Sequence, residues 1–159
     1  MKRIGVTGHR TIPQEAYEQV LEGLRAVLGA LDGSVEALSS LAAGADQLFA
    51  DLALARGAQL TVVIPSGDYE ACFADADELA GYRTLKERAT REVVLDFPHS
   101  TDEAYYAAGV YIAENCDRLL AVWDGLPARG LGGTGDIVTY ARDRGLPVTV
   151  IWREGVRRS

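Results

Sequence analysis

Leu119-Leu-Ala-Val-Trp-Asp-Gly-Leu-Pro-Ala-Arg-Gly-Leu-Gly-Gly-Thr-Gly-Asp-Ile-Val138 decides how this chain folds. A short apolar run stops at an Asp-Gly turn, passes through a glycine-dense loop and opens an amphipathic segment, which spells strand, loop, helix. Gly130, Gly132, Gly133 and Gly135 remove side chains where the backbone must turn tightly or approach a ligand closely. The helix that follows offers unpaired N–H groups and the positive end of its dipole, where an anion, most often a phosphate, is accommodated. A plain flexible connection would use the same glycines, so the remainder of the chain has to decide between the two.

Outward from that segment the same unit recurs. Ile4 to Thr7 reads as a short buried strand ended by Gly8-His9-Arg10. From Pro13 the period changes to helical, with Tyr17, Val20, Leu21, Leu24, Val27, Leu28 and Leu31 on one side and Asp32-Gly33 as the stop. Val35 to Leu41 is a second strand, leading through Ala42-Ala43-Gly44-Ala45-Asp46 into a helix that carries Leu48, Phe49, Leu52 and Leu54. Leu60 to Ile64 is a third strand and ends at Pro65-Ser-Gly. A helix over Phe73 to Ala89, a shorter strand over Glu92 to Phe97, and a helix capped by Asp102 and running through Asn115 follow. After the strand Leu119 to Trp123 come a helix from Thr134 to Arg144 and a last strand from Pro147 to Ile151. Continuous apolar strands alternating with helices predict an α/β protein, a three-layer, doubly wound, mostly parallel sheet. With no internal repeat or linker, residues 1–159 read as a single domain.

Composition narrows the function classes. In 159 residues, 48% are hydrophobic and 25% charged, enough to bury a core without disulfide or metal. Cys72 and Cys116 lack paired-cysteine spacing, and His9 and His99 add no ligand cluster, so no metal and no cofactor is expected. The net charge of -7 predicts that nucleic acid is not a partner, since affinity for its backbone comes from clustered Lys and Arg; Arg153, Arg157 and Arg158 are few and terminal. No long apolar segment predicts a membrane span or a signal peptide, and the expected location is cytoplasmic.

A doubly wound sheet places its ligand outside the carboxyl ends of the strands, near the switch in strand order. The polar and glycine residues fall at those ends: Thr7, Gly8, His9 and Arg10 after the first strand, Ser40, Ala42, Gly44 and Asp46 after the second, Pro65 after the third, and Asp124 with Gly132, Gly133, Thr134, Gly135 and Asp136 after the fifth. These are the expected ligand-binding residues. Each has a bland reading beside the functional one. Arg10 clamps a phosphate or makes a surface salt bridge. Asp46 holds ribose or caps its helix, and Asp124 accepts from a ribose hydroxyl or makes an Asp-Gly turn. Asp136 acts on the ligand or favours the helix dipole. Tyr69, Tyr82 and Arg83 stack on a base or reach a phosphate from a lid, or else form a solvated helix face, which is the expected reading; Tyr105 and Tyr111 read as core.

The segments Val-Thr-Gly-His-Arg10, Ser-Ser-Leu-Ala-Ala-Gly-Ala-Asp46 and Leu-Leu-Ala-Val-Trp-Asp-Gly125 followed by Gly-Gly-Thr-Gly-Asp136 resemble the SLOG superfamily. That group includes the nucleotide-binding domain of DNA processing protein A, the Lonely Guy phosphoribohydrolases and the molybdenum cofactor carrier proteins. The resemblance covers nearly the whole chain and implies a Rossmann-like domain that binds a nucleotide or nucleotide-derived ligand across these loops. Members commonly self-associate, so it also allows a homo-oligomer. One departure bears on chemistry. Aligning Gly132-Gly133-x-Gly135 on the Lonely Guy signature puts Thr139 where that signature has its catalytic glutamate, and Leu131 where it has proline.

Three function classes follow. A binding or sensing domain for a nucleotide-like small molecule needs only the loops. An N-glycosidase of nucleoside monophosphates needs a carboxylate near the anomeric carbon, for which Asp136 and Asp124 are the candidates. A cofactor carrier would use the same loops for a bulkier ligand. The missing glutamate favours the first.

Overall fold

Six strands form one sheet in the order β4-β3-β2-β1-β5-β6 in the computed structural model, which describes residues 1–128, 131 and 133–158. The strands are β1 (Lys2–Gly8), β2 (Val35–Ser39), β3 (Gln59–Ile64), β4 (Arg91–Val94), β5 (Arg118–Val122) and β6 (Val148–Ile151). Between them lie α1 (Gln14–Gly29), α2 (Ala45–Ala55), a 3-10 helix at Tyr69–Cys72 with α3 (Ala76–Glu87), α4 (Asp102–Glu114) and α5 (Thr134–Asp143). All five strand pairings are parallel, so the expectation of a mostly parallel sheet holds in its strictest form.

The period of two in the strands sorts side chains to the two faces. Ile4 and Val6, Val35 and Ala37, Leu60 and Val62, and Leu120 and Val122 point to one core with Val20, Leu24 and Leu28 of α1, Phe49 of α2 and Tyr82 and Leu85 of α3. Leu38, Val63 and Leu119 point to the other, against Ala108, Ile112 and Ala113 of α4 and Ile137 and Ala141 of α5. In α1 the buried residues Ala16, Val20, Leu24 and Leu28 recur every four positions, which makes one apolar stripe. The chain lays β1 to β4 outward in one direction, then crosses the sheet through α4 to place β5 on the other side of β1. β1 is therefore the switch strand, with β2 and β5 as its neighbours.

Some boundaries differ from the sequence expectation. The second strand stops at Ser39 because Leu41 takes φ 56, a left-handed conformation that no strand continues. The third helix begins at Ala76, where Asp75 accepts from the Glu78 N–H at 2.8 Å while the Glu78 carboxylate takes the Ala74 N–H at 3.1 Å. Asp102 does not cap α4. Thr101 does, accepting from the Ala104 N–H at 3.2 Å, and Asp102 is the first helical residue. β4 ends at Val94, and the next residues fold back, with the Phe97 N–H on the Leu95 carbonyl and the Gly67 N–H on the Phe97 carbonyl. Among the described residues no helix is long and apolar enough to cross a membrane.

Candidate functional site

At the carboxyl end of the switch strand opens a cleft of about 450 Å³. Thr7, Gly8, His9, Arg10 and Thr11 form one side as β1 runs out, and Ser40, Ala42 and Asp46 contribute from the β2–α2 connection. The N-terminus of α5 supplies Gly133 and Thr134. From α4 come Asp102 and Tyr105, and Arg158 closes one edge.

The loop between β2 and α2 is held in shape from within. Ser39 Oγ, fully buried, accepts the Leu41 N–H at 3.0 Å and supports its left-handed backbone, while Gln47 Nε2 donates to the Leu41 carbonyl at 3.1 Å. Gly44 then has φ 79, and a Cβ there would stand 2.3 Å from the carbonyl oxygen of Arg10. Only glycine lets these two loops approach this closely. The Ala45 N–H bonds to the His9 carbonyl at 3.1 Å across the same contact, so α2 begins directly behind the end of β1.

Asp46 sits in the first turn of α2 and is 7% exposed. Burial pushes its carboxyl up to about 7, against the opposing pull of the Ala42 and Ser40 backbone N–H groups and the positive charge of Arg10. Near neutral pH this acid therefore exists in both protonation states. The Arg10 guanidinium lies over the Tyr105 ring, 4.9 Å from its centroid, which places a cation at the edge of the cleft.

His9 and Asp124 have a different role. The Asp124 N–H donates to His9 Nε2 at 3.1 Å, so that nitrogen is the acceptor of the neutral ring, and the ring meets Trp152 edge-on at 5.3 Å. The Asp124 side chain is fully enclosed; its oxygens take the Arg158 guanidinium and backbone N–H, both at 3.0 Å, and the Leu126 N–H at 3.0 Å. Burial alone would raise the Asp124 carboxyl, but the backbone N–H donors of Arg158 and Leu126 and the positive charge of Arg158 outweigh it and hold it below its ordinary value. Arg158 also donates to the Pro127 carbonyl, straddling the base of the glycine loop. Asp124 thus stands behind the cleft wall as an anchor for the C-terminal segment, and it does not line the cleft.

Nine of the expected site residues meet in the cleft: Thr7, Gly8, His9, Arg10, Ser40, Ala42, Asp46, Gly133 and Thr134. Gly44 lies beneath it as a packing position, and Gly135 lies within α5 under the Leu126–Ala128 backbone. Asp136 is in the first turn of α5, outside the lining. Pro65 is buried at the end of β3, two strands from the switch strand, so the convergence expected of it does not occur. Gly132 falls outside the described residues. Thr139 is exposed and donates to the Gly135 carbonyl at 3.0 Å.

Tyr105, Asp102 and Arg158 escaped the sequence reading. Tyr105 shares the helical spacing of core positions, and Arg158 stands 34 residues from the Asp124 it pairs with, so local pattern carries no signal for either. Tyr69 and Tyr82, expected on a solvated face, are 4% and 1% exposed. They pack edge-on at 5.4 Å, Tyr69 from a 3-10 helix over Tyr69–Cys72 that the sequence reading did not assign and Tyr82 from α3.

No protein-family model matches the sequence, and no curated protein matches it. Solved structures do. DNA processing protein A from Streptococcus pneumoniae superposes with a TM-score of 0.68 at 19% identity, over 94% of this chain and 50% of that one. DNA processing protein A from Helicobacter pylori, described for its single-stranded DNA binding mode, gives 0.69 at 14%, over 94% and 64%. The Moco carrier protein of Chlamydomonas rheinhardtii gives 0.55 at 16%, over 94% and 74%. The chain thus has the Rossmann-like fold of these proteins, and it spans 50% and 64% of the length of the two DNA processing proteins. The exclusion of nucleic acid drawn from net charge is overturned by the Helicobacter pylori protein, which has this fold and binds single-stranded DNA. A chain-wide charge averages over the whole surface, whereas a strand-end cleft presents its own few cations and backbone N–H groups to a ligand.

Proposed function

We propose that this chain is a binding or sensing domain for a phosphate-bearing nucleotide, held in the cleft at the end of β1. The observation that carries the proposal is the convergence, on one cleft of about 450 Å³, of the ends of β1 and β2, the N-terminus of α5 and the cation of Arg10. Phosphate oxygens lie against the Gly133–Thr134 start of α5, where backbone N–H groups and the helix dipole favour an anion. Arg10 supplies the charge-assisted contact from the opposite side. Asp46, with its carboxyl near neutrality, loses its charge when an anion arrives and so does not repel it.

Single-stranded DNA is the second reading, favoured by the likeness to the Helicobacter pylori protein over 94% of this chain. It presents the same nucleotide chemistry to the same cleft. For cleavage of an N-glycosidic bond no observation speaks: the position aligned with the glutamate is Thr139, and Asp124 is enclosed by Arg158.

Thermal melts and calorimetry with a panel of mononucleotides and a short unstructured oligonucleotide test the proposal. One site occupied at a hundred times Kd adds about 2.7 kcal/mol to stability, a readable shift. Arg10→Met removes a hydrogen-bonding charge and is expected to weaken binding by about ten- to a hundredfold, at ~1.5–3 kcal/mol for a contact to a charged group. A panel with no shift and no heat of binding refutes the proposal.

A further inference from the structure

Behind the Arg10–Tyr105 pair lies a second cavity of about 210 Å³, lined in part by residues of the first, namely Arg10, Thr11, Ala42 and Tyr105. The two differ in chemistry. The first sets glycines, hydroxyls and a helix start beside apolar side chains such as Ile112 and Ile137, whereas the second adds Tyr69 and Phe73, with Cys72 and Glu78, to the shared Tyr105.

The aromatic walls are set before any ligand arrives. Tyr69 meets Phe73 at 5.3 Å, Tyr82 at 5.4 Å and Tyr105 at 6.4 Å, each inclined toward edge-to-face, and its hydroxyl donates to the Ser40 carbonyl at 2.9 Å. That last bond ties the second cavity to the same β2–α2 loop that shapes the first. Glu78 is fixed as well, because one carboxylate oxygen accepts the Ala74 N–H in the cap of α3.

We propose that the second cavity is a nucleobase subsite, so that a nucleoside 5′-phosphate spans both cavities with its phosphate in the first and its base beyond Arg10. The proposal rests on the nucleotide reading above. Whole drug-sized ligands occupy pockets of about 300–1,000 Å³, so about 210 Å³ suits a single heterocycle and excludes a whole nucleotide. Flat aromatic walls are what proteins present to unstacked bases. The carboxylate of Glu78 accepts and never donates when ionised, which selects bases with N–H donors on their pairing edge. Guanine, with N–H donors side by side, fits that acceptor best.

Cys72 lines this cavity and is exposed, whereas burial pushes the half-buried Cys116 thiol up to about 11. A thiol-alkylating reagent at neutral pH therefore reports on Cys72. Guanosine 5′-monophosphate and ribose 5-phosphate are compared, each by thermal melt and by the rate of Cys72 alkylation. The expected result is a melting shift with both and protection of Cys72 with the nucleotide only, slowing alkylation about tenfold at ten times Kd. A nucleotide that shifts the melt and leaves alkylation unchanged overturns the base subsite while the nucleotide reading stands. No shift with either compound overturns both. Ala74→Phe fills the exposed rim of the cavity, and its melt must then respond equally to the nucleotide and to ribose 5-phosphate. A folded Ala74→Phe protein that still favours the nucleotide overturns the proposal. Glu78→Gln should erase the preference for guanosine over uridine monophosphate, and an unchanged preference removes guanine as the selected base.

Discussion

Two acids that flank the end of β1, Asp46 in the first turn of α2 and Asp124 just after β5, are tuned in opposite directions, and their environments say why. Asp46 is buried near a single cation, so desolvation dominates and its carboxyl rises to about 7. In the unfolded chain its value is 3.8, so between the two the folded state holds a proton that the unfolded state has released. Its contribution to stability is complete below about 4 and is lost as pH rises through about 7, a change on the order of a few kcal/mol at about 1.4 kcal/mol per pKa unit. Urea denaturation from pH 5 to 8 should therefore show stability falling with pH, and Asp46→Asn should flatten that slope and be the more stable protein at pH 8. Asp124 is enclosed too, yet Arg158 and backbone N–H donors keep it ionised. Arg158→Ala leaves that carboxylate without its cation and frees the C-terminal segment from the glycine loop. The expected loss is about 2 kcal/mol, by analogy with other hydrogen bonds to charged groups. Denaturant midpoints check it, and proteolysis in the last residues should quicken alongside.

The loop between β2 and α2 is the element on which both cavities depend, since it carries Ser40, Ala42 and Asp46 and accepts the Tyr69 hydroxyl. Its geometry rests on Gly44, where φ is 79 and Arg10's carbonyl lies in the place of a Cβ. Gly44→Ala is expected to cost more than about 2 kcal/mol, adding left-handed strain to a backbone clash, and to displace Arg10 enough to weaken ligand binding. Urea melts read the first effect and calorimetry the second. That element was legible in sequence as far as its chemistry went: small residues, a glycine and an acid between an apolar strand and an amphipathic helix. The continuous apolar runs likewise foretold a sheet covered on both faces, because burial on both sides leaves only apolar choices at Leu38, Val62 and Leu120. What could not be read locally were contacts closed by the fold. The Arg158–Asp124 pair, the Arg10–Tyr105 stack and the burial of Tyr82 each join elements far apart in the chain, and none leaves a periodic trace. Asp102 misled for a different reason, since Asp and Thr both cap helices and Thr101 stood one position earlier.

For the molecule as a whole the sheet topology opens the proposed site at one end of β1, and few of the chain's charges line it. The chain carries 23 acidic and 16 basic residues, yet the described residues lining the first cleft include Arg10 and Arg158 as their cations, and Arg158 is already paired with Asp124 at 3.0 Å. This predicts how salt acts on a bound oligonucleotide. Each phosphate neutralised on a single strand lowers log K by about 0.7 per decade of salt, so a strand held by this cleft, engaging one or two cations, should show a slope of about −0.7 to −1.4. Fluorescence anisotropy of a labelled unstructured oligonucleotide across a range of sodium chloride concentrations measures it. Arg10→Met should bring the slope nearly to zero, because the remaining cation keeps its carboxylate partner. A slope steeper than about −3 in the unaltered protein would mean that several phosphates meet cations outside the cleft, and the strand would then run over another face of the molecule.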